Sequence, residues 1–166
     1  MQGSSPGTAI TRKAFSFVRA QRGVAVVEFA LLLPFLLLIV FGIVDFGRAL
    51  NYKNELTQLS NQAARFAVVN KSPADGTSPF PGCAGLKSYL SNPANVDTKE
   101  IADMIKAGTV QVTVGSTVGQ PVSIRLTTNF PVIPFIGTTI GKSTMSLAGQ
   151  ATMRLEQVPT FGGGSC

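Results

Sequence analysis

Val24-Ala25-Val26-Val27-Glu28-Phe29-Ala30-Leu31-Leu32-Leu33-Pro34-Phe35-Leu36-Leu37-Leu38-Ile39-Val40-Phe41-Gly42-Ile43-Val44 decides how the rest of this 166-residue chain is read. Eighteen of these 21 residues are apolar, and from Phe29 to Val44 no polar side chain interrupts the run. As a helix the stretch is about 31 Å long, which matches a hydrocarbon core of about 30 Å. A core helix of a water-soluble domain keeps a polar face, and this one has none. The run therefore reads as a membrane span.

Its flanks set a direction. Arg12, Lys13, Arg19 and Arg22 precede it with no acidic residue among the first 23, whereas Asp45, Arg48, Lys53 and Glu55 follow it with signs that cancel. Positive charge is retained on the cytoplasmic side, so the N-terminus is expected in the cytoplasm and everything after Asp45 outside it. A cleaved secretory signal is the rival reading. Its apolar part is shorter, about 7–15 residues, and ends at small residues rather than at Asp45-Phe46-Gly47-Arg48.

The formal net charge of +6 is uneven in the same way, because that leader alone contributes +4 of it. Beyond Arg22 no cluster of Lys and Arg with aromatic platforms marks a nucleic-acid surface, and no small-molecule substrate is indicated. The chain has no His and only two Cys, which removes His-based acid–base catalysis, His-containing triads and the common zinc sites. The expectation is a protein without a metal, a cofactor or an enzymatic activity.

One residue breaks the apolar run. An ionised Glu28 at mid-bilayer would cost roughly 2.5–3.5 kcal/mol, so it needs a partner or a place near the headgroups. Lying one turn inside the boundary, its carboxylate can reach the interface. Alternatively, cleavage after Gly23 leaves a new ammonium on Val24 that pairs with Glu28 of the same or a neighbouring helix. Pro34 lacks an amide proton and clashes with the preceding turn, which predicts a helix kink. Plain tolerance of proline in membrane helices is the other reading.

Arg22-Gly23-Val24-Ala25-Val26-Val27-Glu28-Phe29-Ala30-Leu31, Pro34, Gly42, Asp45-Phe46-Gly47-Arg48 and Ala63-Ala64-Arg65 together resemble the TadE-like family over about residues 22–65. These are pilin-like proteins of the tight-adherence machinery that builds Flp pili. Ala151-Thr152-Met153-Arg154-Leu155-Glu156 resembles the family more loosely. The resemblance implies a precursor cut by a prepilin peptidase between Gly23 and Val24, with Glu28 at the fifth mature position. There that Glu neutralises the amine of an adjacent subunit during assembly. Val24-Ala25-Val26-Val27 departs from the Phe-Thr-Leu type of start found in type IV pilins and type II pseudopilins, which favours the TadE-like branch. The length suits TadE or TadF better than the longer TadG-like chains. The family holds both processed minor pilins and membrane-anchored assembly factors.

The implied partners are the membrane, the prepilin peptidase, other pilin-like subunits and tight-adherence assembly proteins. The implied location is the bacterial inner membrane, single-pass, with a periplasmic head that reaches a cell-surface adhesive pilus after assembly. An unprocessed, permanently anchored periplasmic scaffold or binding protein is the alternative function.

Past the run, Tyr52, Leu56, Leu59, Ala63 and Phe66 recur at spacings of four and three, one stripe of a helix that continues to about Val69. Lys71 to Gly85 is dense in turn formers and reads as a loop. Asp97 and Glu100 read as a capping box that opens a short helix ending at Gly108, with Ile101, Met104 and Ile105 buried. After Gly108 the period becomes two. Val110, Val112 and Val114, then Val122, Ile124 and Leu126, then Met145, Leu147, Ala151, Met153 and Leu155 mark three strands. Phe130 to Ile136 reads as an extended piece filling the edge of the head, with a partner or membrane contact as the other reading.

Cys83 and Cys166 both follow the span, so an intramolecular disulfide is the favoured reading, and a free or intersubunit thiol the alternative. The resulting expectation is an α+β, pilin-like fold, a long N-terminal helix packed on a small three-stranded antiparallel sheet. Its parts are a leader (1–23), a transmembrane helix (24–44), its amphipathic continuation (45–70) and a head (71–166).

Overall fold

α1 occupies Lys13–Val68, 56 residues without interruption, and passes through Pro34 as helix. This computed structural model describes residues 13–134, 137–138 and 141–166, with side chains from residue 23 onward. The leader before Lys13 lies outside the described residues. The helix begins earlier than the apolar pattern indicates, because between Lys13 and Gly23 nothing in the sequence opposes helix.

Its end is a cap built from backbone. Lys71 N donates to Phe66 O at 2.8 Å and Asn70 N to Ala67 O at 3.1 Å, with Asn70 at φ 50°. This is the left-handed closing turn that asparagine tolerates best after glycine, and it satisfies two otherwise orphaned carbonyls. Glu156 N and Gln157 N then donate to Val68 O, so the chain segment after the sheet caps the helix a second time.

Contacts divide the chain into two compact units, Met1–Gly42 and Ile43–Cys166. In the first, every described residue is helical and the described side chains are almost all exposed. The second contains the hydrophobic core. There α1 contributes Ala49, Leu56, Leu59, Ala63, Ala64, Ala67 and Val68, all buried. Tyr52 and Phe66, members of the sequence stripe, sit half-buried at its margins.

Two further helices precede the sheet. α2 (Gly82–Leu90) buries Leu86 and Leu90, and α3 (Lys99–Ala107) buries Ile101, Ala102, Met104 and Ile105. The predicted loop through Gly85 therefore stops at Pro81. Pro81-Gly82 and Gly85 hid a helix whose only strong signal is the leucine pair four residues apart. The capping box is also corrected. The N-cap is Thr98, whose Oγ1 accepts the Ile101 amide at 3.3 Å. Thr98 has the extended backbone that a cap requires, and its hydroxyl is one residue closer to the first turn than the Asp97 carboxylate. Gly108 ends the helix as expected.

β1 (Thr109–Val114), β2 (Pro121–Pro131) and β3 (Thr144–Arg154) form an antiparallel sheet, joined by a fourth strand, β4 (Gly164–Ser165), in the order β3-β2-β1-β4. The count of three is thus one short. β4 pairs through Gln111↔Ser165 and Val112↔Gly164. A glycine-rich two-residue strand has no side-chain alternation, so its pairing leaves no trace in the pattern.

β2 alternates strictly, with Val122, Ile124, Leu126, Thr128 and Phe130 inward. Thr128 can occupy an inward position because its hydroxyl donates to Met104 O at 2.8 Å. The prolines sit at the two ends of β2, where no ladder donor is lost. One face of the sheet is therefore apolar, and it shares a single core with all three helices. Close approach of α1 depends on Gly149 of β3: a Cβ there would lie 2.4 Å from the carbonyl carbon of Leu56.

Candidate functional site

From Val24 to Val44 the large apolar side chains are exposed, Val24 at 59%, Leu31 at 69% and Phe35 at 72%. Over Gly23–Val68 the most apolar 18-residue window has a mean hydropathy of 2.8 and none of it is buried. Water does not tolerate such a surface, and a hydrocarbon environment does. The helix fits a single-pass membrane anchor.

Gly23, Val24, Glu28 and Pro34 all lie on this helix. Val24 and Glu28 are four apart, so they fall on one face a turn from each other. Among the described residues Glu28 has no ion-pair partner and is exposed. Open space surrounds Gly23, with no neighbouring atom within 4 Å of where a Cβ would be. Cys83 and Cys166 are joined in a disulfide with Cα atoms 6.1 Å apart, across 83 residues of sequence. The bond ties α2 to β4 and to the β1 edge, where Val110 and Cys166 also exchange both backbone hydrogen bonds.

A second constellation lies at the start of the head. Asp45, the first residue after the apolar run, is 6% exposed. Its Oδ2 accepts the Ile133 amide at 2.9 Å, and its Oδ1 lies 3.6 Å from Arg48 Nη1. Arg48 reaches on to Glu100 Oε1 at 3.4 Å and stands 5.4 Å above the Phe130 ring. Tyr52 donates its hydroxyl to Glu100 Oε2 and packs against Phe130 with ring centroids 5.4 Å apart. Burial, and then the hydrogen bond to Glu100, push the Tyr52 phenol above its ordinary value. Three successive turns of α1 thus hold α3 and the exit of β2.

Sequence reasoning used Asp45 and Arg48 as the flank of the span and as part of a family pattern, and did not foresee this clamp. The Asp45-x-x-Arg48 spacing carries an i,i+3 ion pair, but nothing local points to Glu100 or Ile133. The Phe130 end of the apolar segment fills the head, with Phe130 1% and Val132 8% exposed. Phe135 and Ile136 lie outside the described residues.

A third feature is less settled electrostatically. Glu55 Oε1 is buried without a hydrogen-bond partner. Desolvation, and next the charge of Asp97, raise its pKa. Among the described residues no group of three or more Cys, Asp or Glu side chains converges as a metal site would require.

Among the described residues one exposed apolar helix leads into a clamped α+β head, and that combination fits the class of proteins anchored in a membrane by a single helix. Residues 23–65 match the family described as TadE-like protein, which places both the apolar run and the Asp45–Arg48–Tyr52 face of α1 within the matched segment. No curated protein and no solved structure matches the chain.

Proposed function

We propose that this chain is a pilin-like minor pilin or pseudopilin of a tight-adherence, Flp-type pilus assembly system. It is processed by a prepilin peptidase after Gly23 and assembled through its apolar helix. The observation that carries this reading is that the TadE-like match, residues 23–65, covers the exposed apolar stretch of α1. The N-terminus faces the cytoplasm and the head the periplasm, as the four basic residues of the leader direct.

The role is assembly rather than turnover. In the bilayer the helix stores the subunit, and in a filament it packs against like helices. Removal of the leader creates an ammonium at Val24, which pairs with Glu28 and offsets a carboxylate otherwise buried alone. The N-terminal residue of protein isolated from membranes tests the reading. Val24 supports processing, whereas Met1 supports a permanent, uncleaved anchor. Glu28→Gln is expected to leave cleavage intact and to lower incorporation into sheared filaments at least about tenfold, the equivalent of roughly 1.4 kcal/mol. Normal incorporation would remove the charge role.

A further inference from the structure

Beside the residue that follows the apolar run, the head brings in a second piece of chain. Val44 closes the apolar run and Asp45 follows it in the same helix. The Asp45 carboxylate holds the Ile133 amide at 2.9 Å, so the backbone leaving β2 is fixed beside the first residue beyond the span. Pro134 is exposed there and Ile133 half-buried. The returning chain is fixed as well. Val132 N donates to Ser143 O, and Lys142 N to Gly137 O, with Lys142 and Ser143 exposed.

The helix itself stays apolar on its outer face beyond the run, with Phe46 63% and Leu50 44% exposed. A bilayer about 40–45 Å thick with a core of about 30 Å leaves a headgroup layer of about 5–8 Å on each side. At about 1.5 Å per residue, Asp45 to Arg48 follow the end of the run within about 6 Å of helix and Leu50 within about 9 Å. The Ile133 amide, 2.9 Å from the Asp45 carboxylate, and the adjoining Pro134 are thereby held close to the end of the run.

We propose that Ile133-Pro134, with Phe46 beside them, form an interfacial lip that rests in the headgroup layer of the membrane holding the anchor. Lys142 faces the phosphate groups. The proposal rests on the reading of Val24–Val44 as a span. The lip gives the head a second attachment to the lipid surface, and the Asp45–Ile133 hydrogen bond sets its depth. Apolar and proline residues enter this layer at little cost, and a lysine stem extends through it to the phosphates. Extraction of the subunit from the bilayer must then lift the lip along with the helix.

The chain contains no Trp, so a single introduced indole reports its own depth. Full-length Phe35→Trp, Pro134→Trp, Ser143→Trp and Val158→Trp are to be reconstituted separately in phosphatidylcholine–phosphatidylglycerol vesicles. Their fluorescence is compared with and without lipids brominated near the headgroup end of the acyl chains. Pro134→Trp and Ser143→Trp are expected to lose about half their fluorescence, as groups within about 5–10 Å of the acyl boundary do, and Val158→Trp almost none. If Phe35→Trp is quenched while Pro134→Trp and Ser143→Trp behave like Val158→Trp, the lip is overturned and the span stands. If Phe35→Trp itself escapes quenching, the span reading fails and the lip with it.

Discussion

Asp45 has two tasks that substitution separates: it accepts a backbone hydrogen bond from Ile133 and it faces Arg48 across 3.6 Å. Asp45→Ala removes both and leaves the Ile133 amide without its acceptor, at an expected cost of about 1–3 kcal/mol. Asp45→Asn keeps an acceptor oxygen and loses mainly an ion pair with a 40%-exposed Arg48, which is worth about 1 kcal/mol or less. Unfolding followed by tyrosine fluorescence in detergent should rank wild type, Asp45→Asn and Asp45→Ala in that order of decreasing stability. Glu55 works in the opposite sense. Burial and Asp97 raise its pKa, so the folded state holds a proton after the unfolded chain has released it. Its contribution is complete below the ordinary value of 4.5 and is lost as pH rises through the raised folded value. Glu55→Gln should therefore match wild type below about pH 4 and exceed it in stability at pH 7, as denaturation midpoints across that range would show. Neither environment was visible in the residues around these acids. Asp97 is 42 positions from Glu55 and Ile133 is 88 from Asp45, and only the fold makes them neighbours.

At the level of elements, periodicity was a sound guide wherever an element buries one face over several turns or pairs. The stripe from Leu56 to Ala63, the alternations of β1 and β2, and that of β3 from Leu147 to Met153 emerge where the pattern put them, because burial imposes its period on the side chains there; Met145, at the start of β3, is instead 47% exposed, and Leu155 is buried just beyond the strand's end. α2 and β4 are short, rich in glycine, and stabilised by tertiary contacts and backbone pairing, which leave no period to read. Gly149 illustrates the same limit. Within β3 it looks like a weak point, yet it is where the α1 backbone meets the sheet. Gly149→Ala would put a methyl group 2.4 Å from the Leu56 carbonyl carbon and 2.6 Å from the Thr57 nitrogen. Backbone on both sides cannot yield as a flexible side chain would, so a loss of about 1–3 kcal/mol is expected from overpacking. Gly164→Ala, with no atom within 4 Å of its Cβ, is the matched control and should change stability by less than about 0.5 kcal/mol. Equal midpoints for the two variants in chemical denaturation would contradict a close helix–sheet contact.

For the molecule as a whole, the anchor and the head obey different solvents, and one experiment can address the head alone. In lipid the apolar run has no water to bond its backbone, so it stays helical whatever happens to the head. Both tyrosines, Tyr52 and Tyr89, pack against the head's core, and with no Trp present the intrinsic fluorescence reports that part only. The Cys83–Cys166 bond spans 83 residues, much of the head, and closes the C-terminal strand onto β1. A loop of this size removes roughly 4–5 kcal/mol of conformational freedom from the unfolded chain. Native contacts then have that much less entropy to overcome. Reduction, or the double replacement Cys83→Ser with Cys166→Ser, should lower the urea midpoint of vesicle-bound protein accordingly. It should also release β4, seen as faster hydrogen exchange at Val110 and Cys166, whose amides pair with each other's carbonyls. Far-UV helicity from the anchor should persist through the same transition. A midpoint that ignores reductant, together with unchanged exchange at Val110, would mean that the β1 edge is held by strand pairing alone and that the covalent closure adds nothing to the head.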